Sequence, residues 1–238
     1  MKVFLIGATG GIGSALARRL TSNGVDLVLA ARDEVRLKGL STELHNAPYQ
    51  VVNAADFAAL EQAVTAAGPI GGIVNCAGSL LLKPAHLTTE REYRDTVELS
   101  LTTAFSTVRA GARALMSTGG SIVLCATAAA RAGFSNHDAI AAAKGGVIGL
   151  TMSAAASYAA RNIRVNCVAP GLVETPLTAR ITGNEAALKS SQAMHALGRI
   201  GRPEDIASAI AWLLDPENSW VTGQTIGVDG GLGTVRPR

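Results

Sequence analysis

Seven residues near the start of the chain, GATGGIG at 7–13, have the types and spacing to hold a phosphate. Gly7, Gly11 and Gly13 punctuate a turn that follows the apolar, β-forming run Val3 to Ile6. From Ser14 the pattern becomes helical, with Ala15, Leu16 and Leu20 on one face and Arg18 and Arg19 on the other. A strand, a glycine turn and a helix in that order leave backbone N–H groups free at the positive end of the helix dipole, where a phosphate or pyrophosphate is held. Glycine lets the phosphate reach the backbone. The spacing is G-x-x-x-G-x-G, neither the G-x-G-x-x-G fingerprint nor a Walker A motif, and the plainer alternative is an ordinary strand-to-helix turn.

A second basic feature follows. Asp26 to Ala31 reads as a strand, and in a doubly wound sheet the residue at its end faces the ribose beside the adenine. An acidic side chain there would take the 2′-hydroxyl and repel a 2′-phosphate. This chain has Ala31 and then Arg32, which favours the 2′-phosphate of NADP over NAD. The alternative is a solvated loop arginine.

The elements that must position these groups alternate along the chain. After the first two strands, Tyr49 to Ala54, Ile73 to Asn75, Ser121 to Ala126, Arg164 to Val168 and Gln224 to Val228 read as further strands. Helical patterns cover residues 34–44, 90–116, 136–160 and 203–214, and a polar, variable stretch lies at 177–197. This predicts one α/β domain over 1–238, a doubly wound Rossmann-type fold. Its parallel sheet has about seven strands, helices on both faces, and ligands above the strand C-termini.

Composition narrows the class. Hydrophobic residues make up 48% and charged ones 16%, which excludes a disordered chain. The net charge of +3 has no clustered source, so no nucleic-acid partner is expected, and the basic end at 236–238 reads as solvated. Cys76, Cys125 and Cys167 lie in apolar sequence without CxxC or Cys/His spacing, which predicts free thiols in a reducing cytoplasm and no metal site. The first residues are too short for a signal peptide. The apolar stretch 139–160 carries Lys144 and paired glycines and reads as a packed helix, so no membrane partner is expected. His45, His86 and His195 are expected exposed or in loops, and Trp212 and Trp220 in packing or an interface.

GATGGIG, Asp56, NCAG at 75–78, AAAKGGV at 141–147, NCVAPGLVETP at 166–176, GRPEDIA at 201–207 and TGQTIGVDGG at 222–231 fall in the order and spacing of one family. Over essentially its whole length the chain resembles the short-chain dehydrogenase/reductases, most of all the branch containing 3-oxoacyl-(acyl-carrier-protein) reductases. The resemblance implies that Gly7, Thr9, Gly11, Ile12 and Gly13 hold the pyrophosphate and Arg32 the adenosine phosphate. It implies that Asp56 and Phe57 border the adenine, and that Asn75, Ala77 and Gly78 border its ribose. It gives Pro170, Gly171, Val173 and Thr175 the nicotinamide carboxamide, Lys144 the nicotinamide ribose, and 177–197 the role of a substrate lid.

The catalytic residues depart from that family's pattern. The family places its proton-donating tyrosine four residues before the lysine, one helical turn away, and here that position is Ile140. Thr127 stands where the family has its serine and Ser100 where it has an asparagine; Lys144 alone is unchanged. A threonine hydroxyl still donates a hydrogen bond, whereas an aliphatic side chain cannot move a proton. His137 would share a helix face with Ile140 and Lys144 if the helix starts near Asn136, as Ser135 and Asp138 at capping-box spacing suggest, and an imidazole is a competent acid or base. His137 is thus the candidate to replace the tyrosine, against the alternative of a histidine with no catalytic part.

Two functions follow. One is an NADP-dependent oxidoreductase acting on a small carbonyl or alcohol substrate with altered proton delivery. The other is a catalytically silent NADP-binding regulator or partner subunit. The small residues Ala141 to Ala143, Gly145, Gly146 and Gly149 imply close backbone approach to another helix or to the cofactor, and the resemblance implies a homodimer or homotetramer built on the helices at 90–116 and 136–160.

Overall fold

The computed structural model describes residues 1–235; the basic end at 236–238 lies outside the described residues. Its frame is a seven-stranded, all-parallel sheet in the order β3-β2-β1-β4-β5-β6-β7. In chain order the elements are β1 (Lys2–Ile6), α1 (Gly11–Ser22), β2 (Asp26–Ala31), α2 (Glu34–Glu43), β3 (Tyr49–Val51), α3 (Phe57–Ala66), β4 (Gly72–Asn75) and α4 (Glu90–Val97). There follow α5 (Thr103–Leu115), β5 (Gly120–Cys125), α6 (Asp138–Tyr158), β6 (Ile163–Pro170), α7 (Ala179–Thr182), α8 (Glu185–Met194), α9 (Pro203–Leu214) and β7 (Thr225–Val228).

The central strands are continuous apolar runs because both their faces are covered. Phe4, Ile6, Ile73, Ile122 and Val165 pack beneath α3, α5 and α6, and Val3, Leu5, Val74, Val123 and Val168 beneath α1 and α9. Strand order reverses between β1 and β4, both paired to one another but with β2 on one side and β5 on the other. Such a switch point opens a crevice at the strands' C-terminal ends.

Four local readings change. β3 stops at Val51 because it is an edge strand paired only with Leu29 to Ala31, while β6 runs on to Pro170 between two partners. The helical stretch at 90–116 is α4 and α5 joined through a five-residue π-helical segment, Glu98–Thr102, which widens the turn around the buried Ser100. The capping box at Ser135 and Asp138 does not form: Asn136 is left-handed (φ 64°), and α6 begins at Asp138 with no side-chain cap. Trp212 and Trp220 are exposed, which leaves the interface alternative open to them.

α6 is long and apolar enough by length and composition to cross a membrane. Here its buried face, Ile140, Ala143, Lys144, Val147 and Thr151 among it, lies in the protein core against the sheet. Gly146 is the close-approach glycine: a Cβ there would meet the Leu101 side chain at 2.9 Å, whereas Gly145 and Gly149 face open space.

Candidate active site

The glycine turn is built by contact. Gly7 has φ +75°, and a Cβ on it would strike the backbone of Cys76 and Ala77 at 2.7 and 2.6 Å. A Cβ on Gly13 would land on the carbonyl oxygen of Gly7, and one on Gly11 would meet Thr175 Cγ2 at 2.6 Å. Only glycine lets the turn sit this close to the NCAG turn on one side and to the 170–175 segment on the other. α1 then starts at Gly11, behind Gly10, with no side-chain cap and no acidic residue in its first turn, while α2, α3 and α4 are capped by Asp33, Asp56 and Thr89. The first-turn N–H groups of Gly11, Ile12 and Gly13 are left to the crevice, with the helix dipole behind them.

The NCAG turn is held from below. Buried Asn75 donates from Nδ2 to Thr107 Oγ1 (3.1 Å) and accepts the Ala77 N–H at Oδ1 (2.8 Å). Lys144 comes in from α6: its Nζ donates to the Cys125 carbonyl oxygen at 2.7 Å and lies 3.2 Å from where a Gly78 Cβ would be. The side chain is only 6% exposed, and burial pushes its ammonium below the usual lysine range, an effect the nearby Cys125, Cys167 and Cys76 thiols partly offset. Ser100 reaches the same region through Ser79, their hydroxyls 3.4 Å apart. Thr127, two residues beyond the carbonyl that anchors Lys144, accepts the Ala129 N–H at Oγ1 (3.3 Å) and so caps the short helical turn Ala128–Ala130.

Several expected residues are turned elsewhere. His137 stands before α6, half-buried, with Nδ1 donating to the Ser135 carbonyl (2.7 Å) and the ring against Phe134; among the described residues it makes no hydrogen bond to Lys144 or Thr127. Ile140 is 3% exposed and lies one helical turn from Lys144. Asp56 is occupied as the cap of α3, and the Phe57 ring stacks on Phe105 (5.8 Å between centroids) beneath Arg109. Arg32 is exposed at the end of β2.

Three residues not assigned to the site from the sequence belong to this region. Arg36, on the first turn of α2, donates from Nη2 to the Thr9 carbonyl at 2.6 Å, placing a guanidinium beside the glycine turn; its position four residues after Arg32 was the available signal. Ser79 follows directly on NCAG. His195 is the clearest correction: expected exposed, it is 3% exposed. Its Nδ1 donates to the Ser191 carbonyl (2.6 Å) and its Nε2 accepts the Leu172 N–H (3.2 Å). It ties the end of α8 to the 170–175 segment, where Gly171 leaves room for the imidazole and Val173 is fixed by a bridge to Gly201. Thr175 Oγ1 and Thr178 Oγ1 lie 3.1 Å apart and close the segment's far end.

The crevice therefore joins the glycine turn, NCAG, Lys144, Ser100 and Thr175, which lie far apart in sequence. Such a site can hold an elongated phosphorylated ligand along the strand ends, with a lysine and hydroxyls at one extremity. A family model described as enoyl-(acyl carrier protein) reductase matches residues 7–233, and the chain belongs to the short-chain dehydrogenase/reductase family. Among its relatives, the 3-oxoacyl-[acyl-carrier-protein] reductase FabG of Vibrio cholerae is 34% identical over 242 residues, 97% of each chain. Two solved structures superpose with TM-scores of 0.93. One is a short-chain type dehydrogenase/reductase from Mycobacterium ulcerans, 29% identical and covering 99% of this chain and 90% of that one. The other is a single-residue variant of an actinorhodin polyketide ketoreductase with NADPH, 30% identical and covering 98% of this chain and 97% of that one.

Proposed function

We propose that this member of the family binds NADP(H) and interconverts a small carbonyl compound and its alcohol, with proton delivery that does not use a tyrosine. The observation that carries the reading is Lys144: a buried ammonium kept in a crevice continuous with an uncapped, glycine-lined helix start. A buried charge is costly unless it is paired and hydrogen-bonded, and with one carbonyl partner the Lys144 ammonium is a cost to stability that a role in the site accounts for. The cradle suits a dinucleotide, since the space that Cβ atoms on Gly7, Gly11 and Gly13 would fill is the space the backbone N–H groups need to approach phosphate.

In this reading Gly7, Thr9, Gly11, Ile12 and Gly13 take the pyrophosphate, and Asn75, Ala77 and Gly78 shape the wall beside the adenine ribose. Pro170, Gly171, Val173 and Thr175 grip the carboxamide, held in place from behind by His195. Lys144 takes the nicotinamide ribose with the N–H bonds not spent on Cys125. When bound, the nicotinamide supplies or accepts a hydride. The Thr127 and Ser100 hydroxyls orient the substrate oxygen but are too weakly acidic to give up a proton near neutral pH. The proton then comes from solvent or from His137, whose Nε2 is left open by the Nδ1 bond to Ser135. Asp56 as a helix cap and Phe57 stacked on Phe105 would touch adenine only at its edge. Screening carbonyl compounds with NADPH, and alcohols with NADP⁺, by absorbance of the reduced nicotinamide tests turnover; no change with any substrate in either direction overturns it.

Ile140 favours a second reading, a silent NADP-binding protein that responds to the cofactor without turning it over. Both readings share the adenosine end. Arg32 and Arg36 flank it, and the neighbouring Asp33 carboxylate is spent on the Arg36 N–H at 3.0 Å. Charge-assisted hydrogen bonds contribute about 1.5–3 kcal/mol each. The single variant Arg32→Ala, which removes one such bond, is therefore expected to bind NADPH roughly 10–150-fold more weakly with NADH affinity little changed, read by fluorescence titration. Equal losses for both coenzymes would contradict the assignment.

The chain is proposed to work as a homodimer or homotetramer. Gly145 and Gly149 facing open space, with Phe105 and Met152 exposed on the adjoining helices, support pairing of α5 and α6 with their copies. A monomer by light scattering at micromolar concentration would count against it.

A further inference from the structure

Two thiols at the floor of the crevice have no part in the function proposed above. β4 and β5 run side by side with Asn75 opposite Leu124, so the next residues, Cys76 and Cys125, meet at one level. Both side chains pack against the apolar layer under α1 and α9 and so leave the sheet on the same face. Neighbouring parallel strands lie about 4.8 Å apart, inside the roughly 4.4–6.8 Å between Cα atoms that a disulfide spans. Both residues are free and partly exposed, whereas Cys167 is buried.

Their surroundings make them unequal. Contact with the Cys76 thiol holds the Cys125 thiol below its ordinary range, and the Lys144 charge acts in the same direction against burial. The same contact, followed by burial, raises Cys76. Lys144 Nζ, bonded to the carbonyl of Cys125 itself at 2.7 Å, sets a positive charge beside that residue and favours its thiolate, so Cys125 is the nucleophile and Cys76 is placed to resolve what forms on it.

We propose that Cys76 and Cys125 form a peroxide-sensitive dithiol that closes to an intramolecular disulfide across the ends of β4 and β5. The Cys125 thiolate attacks one oxygen of hydrogen peroxide; an S–O bond forms, the O–O bond breaks, and the departing hydroxide is protonated to water. The Cys76 sulfur then attacks the Cys125 sulfenic acid; the S–S bond forms, the S–O bond breaks, and a second water leaves with the Cys76 proton. Two thiols lose two electrons and the peroxide gains them. The crosslink joins the backbone that abuts Gly7 to the residue whose carbonyl holds Lys144, so it ties together both walls of the crevice.

Peptide mapping of the reduced full-length protein after hydrogen peroxide treatment, under non-reducing conditions, tests this. The expected product is a linked Cys76–Cys125 peptide pair lighter by two hydrogens, formed within one chain and reversed by dithiothreitol, with Cys167 still a thiol. In Cys76→Ser, dimedone should trap a sulfenic acid on Cys125; in Cys125→Ser, oxidation of Cys76 should slow about tenfold or more. Oxidation of Cys125 straight to sulfinic acid without a linked pair, a link to Cys167 or between chains, or an unchanged Cys76 rate in Cys125→Ser would overturn the proposal.

Discussion

The Ile140→Tyr variant is expected to reduce a small ketone with NADPH roughly 10²–10⁴-fold faster than the parent chain, the range a positioned general acid contributes. Ile140 lies one turn before Lys144 on the buried face of α6, so a phenol there comes up beside the ammonium and the Thr127 region. The ammonium would also favour the phenolate that remains after proton transfer. The larger ring crowds a packed site, at about 1–3 kcal/mol of stability, and Ile140→Phe carries the same bulk without the hydroxyl. A rise in turnover in both variants would point to reshaping of the pocket, and a rise in neither would mean that the missing hydroxyl is not what limits the parent.

Lys144→Met is expected to lose most of any turnover, on the order of 10²-fold or more, as removal of a positioned charged donor does, while its thermal stability stays equal or rises. The buried ammonium has one carbonyl partner, from Cys125, and a side chain of similar volume avoids the desolvation the charge suffers. A lysine needed only for folding would give the opposite, a fall in stability. The pH dependence has a definite sign. Because the folded pKa lies below the ordinary 10.5, the unfolded chain binds more protons between the two values, so stability of the parent rises with pH through that window. The gap between parent and Lys144→Met should therefore narrow as pH approaches 10.5.

What could be read from the sequence was what depends on local pattern. Parallel strands covered on both faces are continuous apolar runs, so β1, β2, β4 and β5 stand within a residue of their expected bounds, while the edge strand β3, which lacks a second partner, ends early. The glycine turn was legible because its spacing reports a backbone constraint, and the structure traces that constraint to Cys76, Ala77 and Thr175. Side chains whose surroundings come from distant elements were not legible. His195 is buried by Ser191, Leu172 and Gly171, and Phe57 is turned by Phe105. At the start of α6 a left-handed Asn136 replaced the expected cap, which moved the helix start past His137 and left that ring on Ser135.

The central claim is that the crevice at the β1–β4 switch point grips a phosphorylated nicotinamide dinucleotide between the glycine turn and Lys144. Titration of the unmodified protein with NADPH and NADH, followed by nucleotide fluorescence, addresses it directly. Saturable binding of NADPH, tighter than that of NADH, is the predicted result. Failure to bind either coenzyme would contradict both the oxidoreductase and the silent cofactor-binding protein.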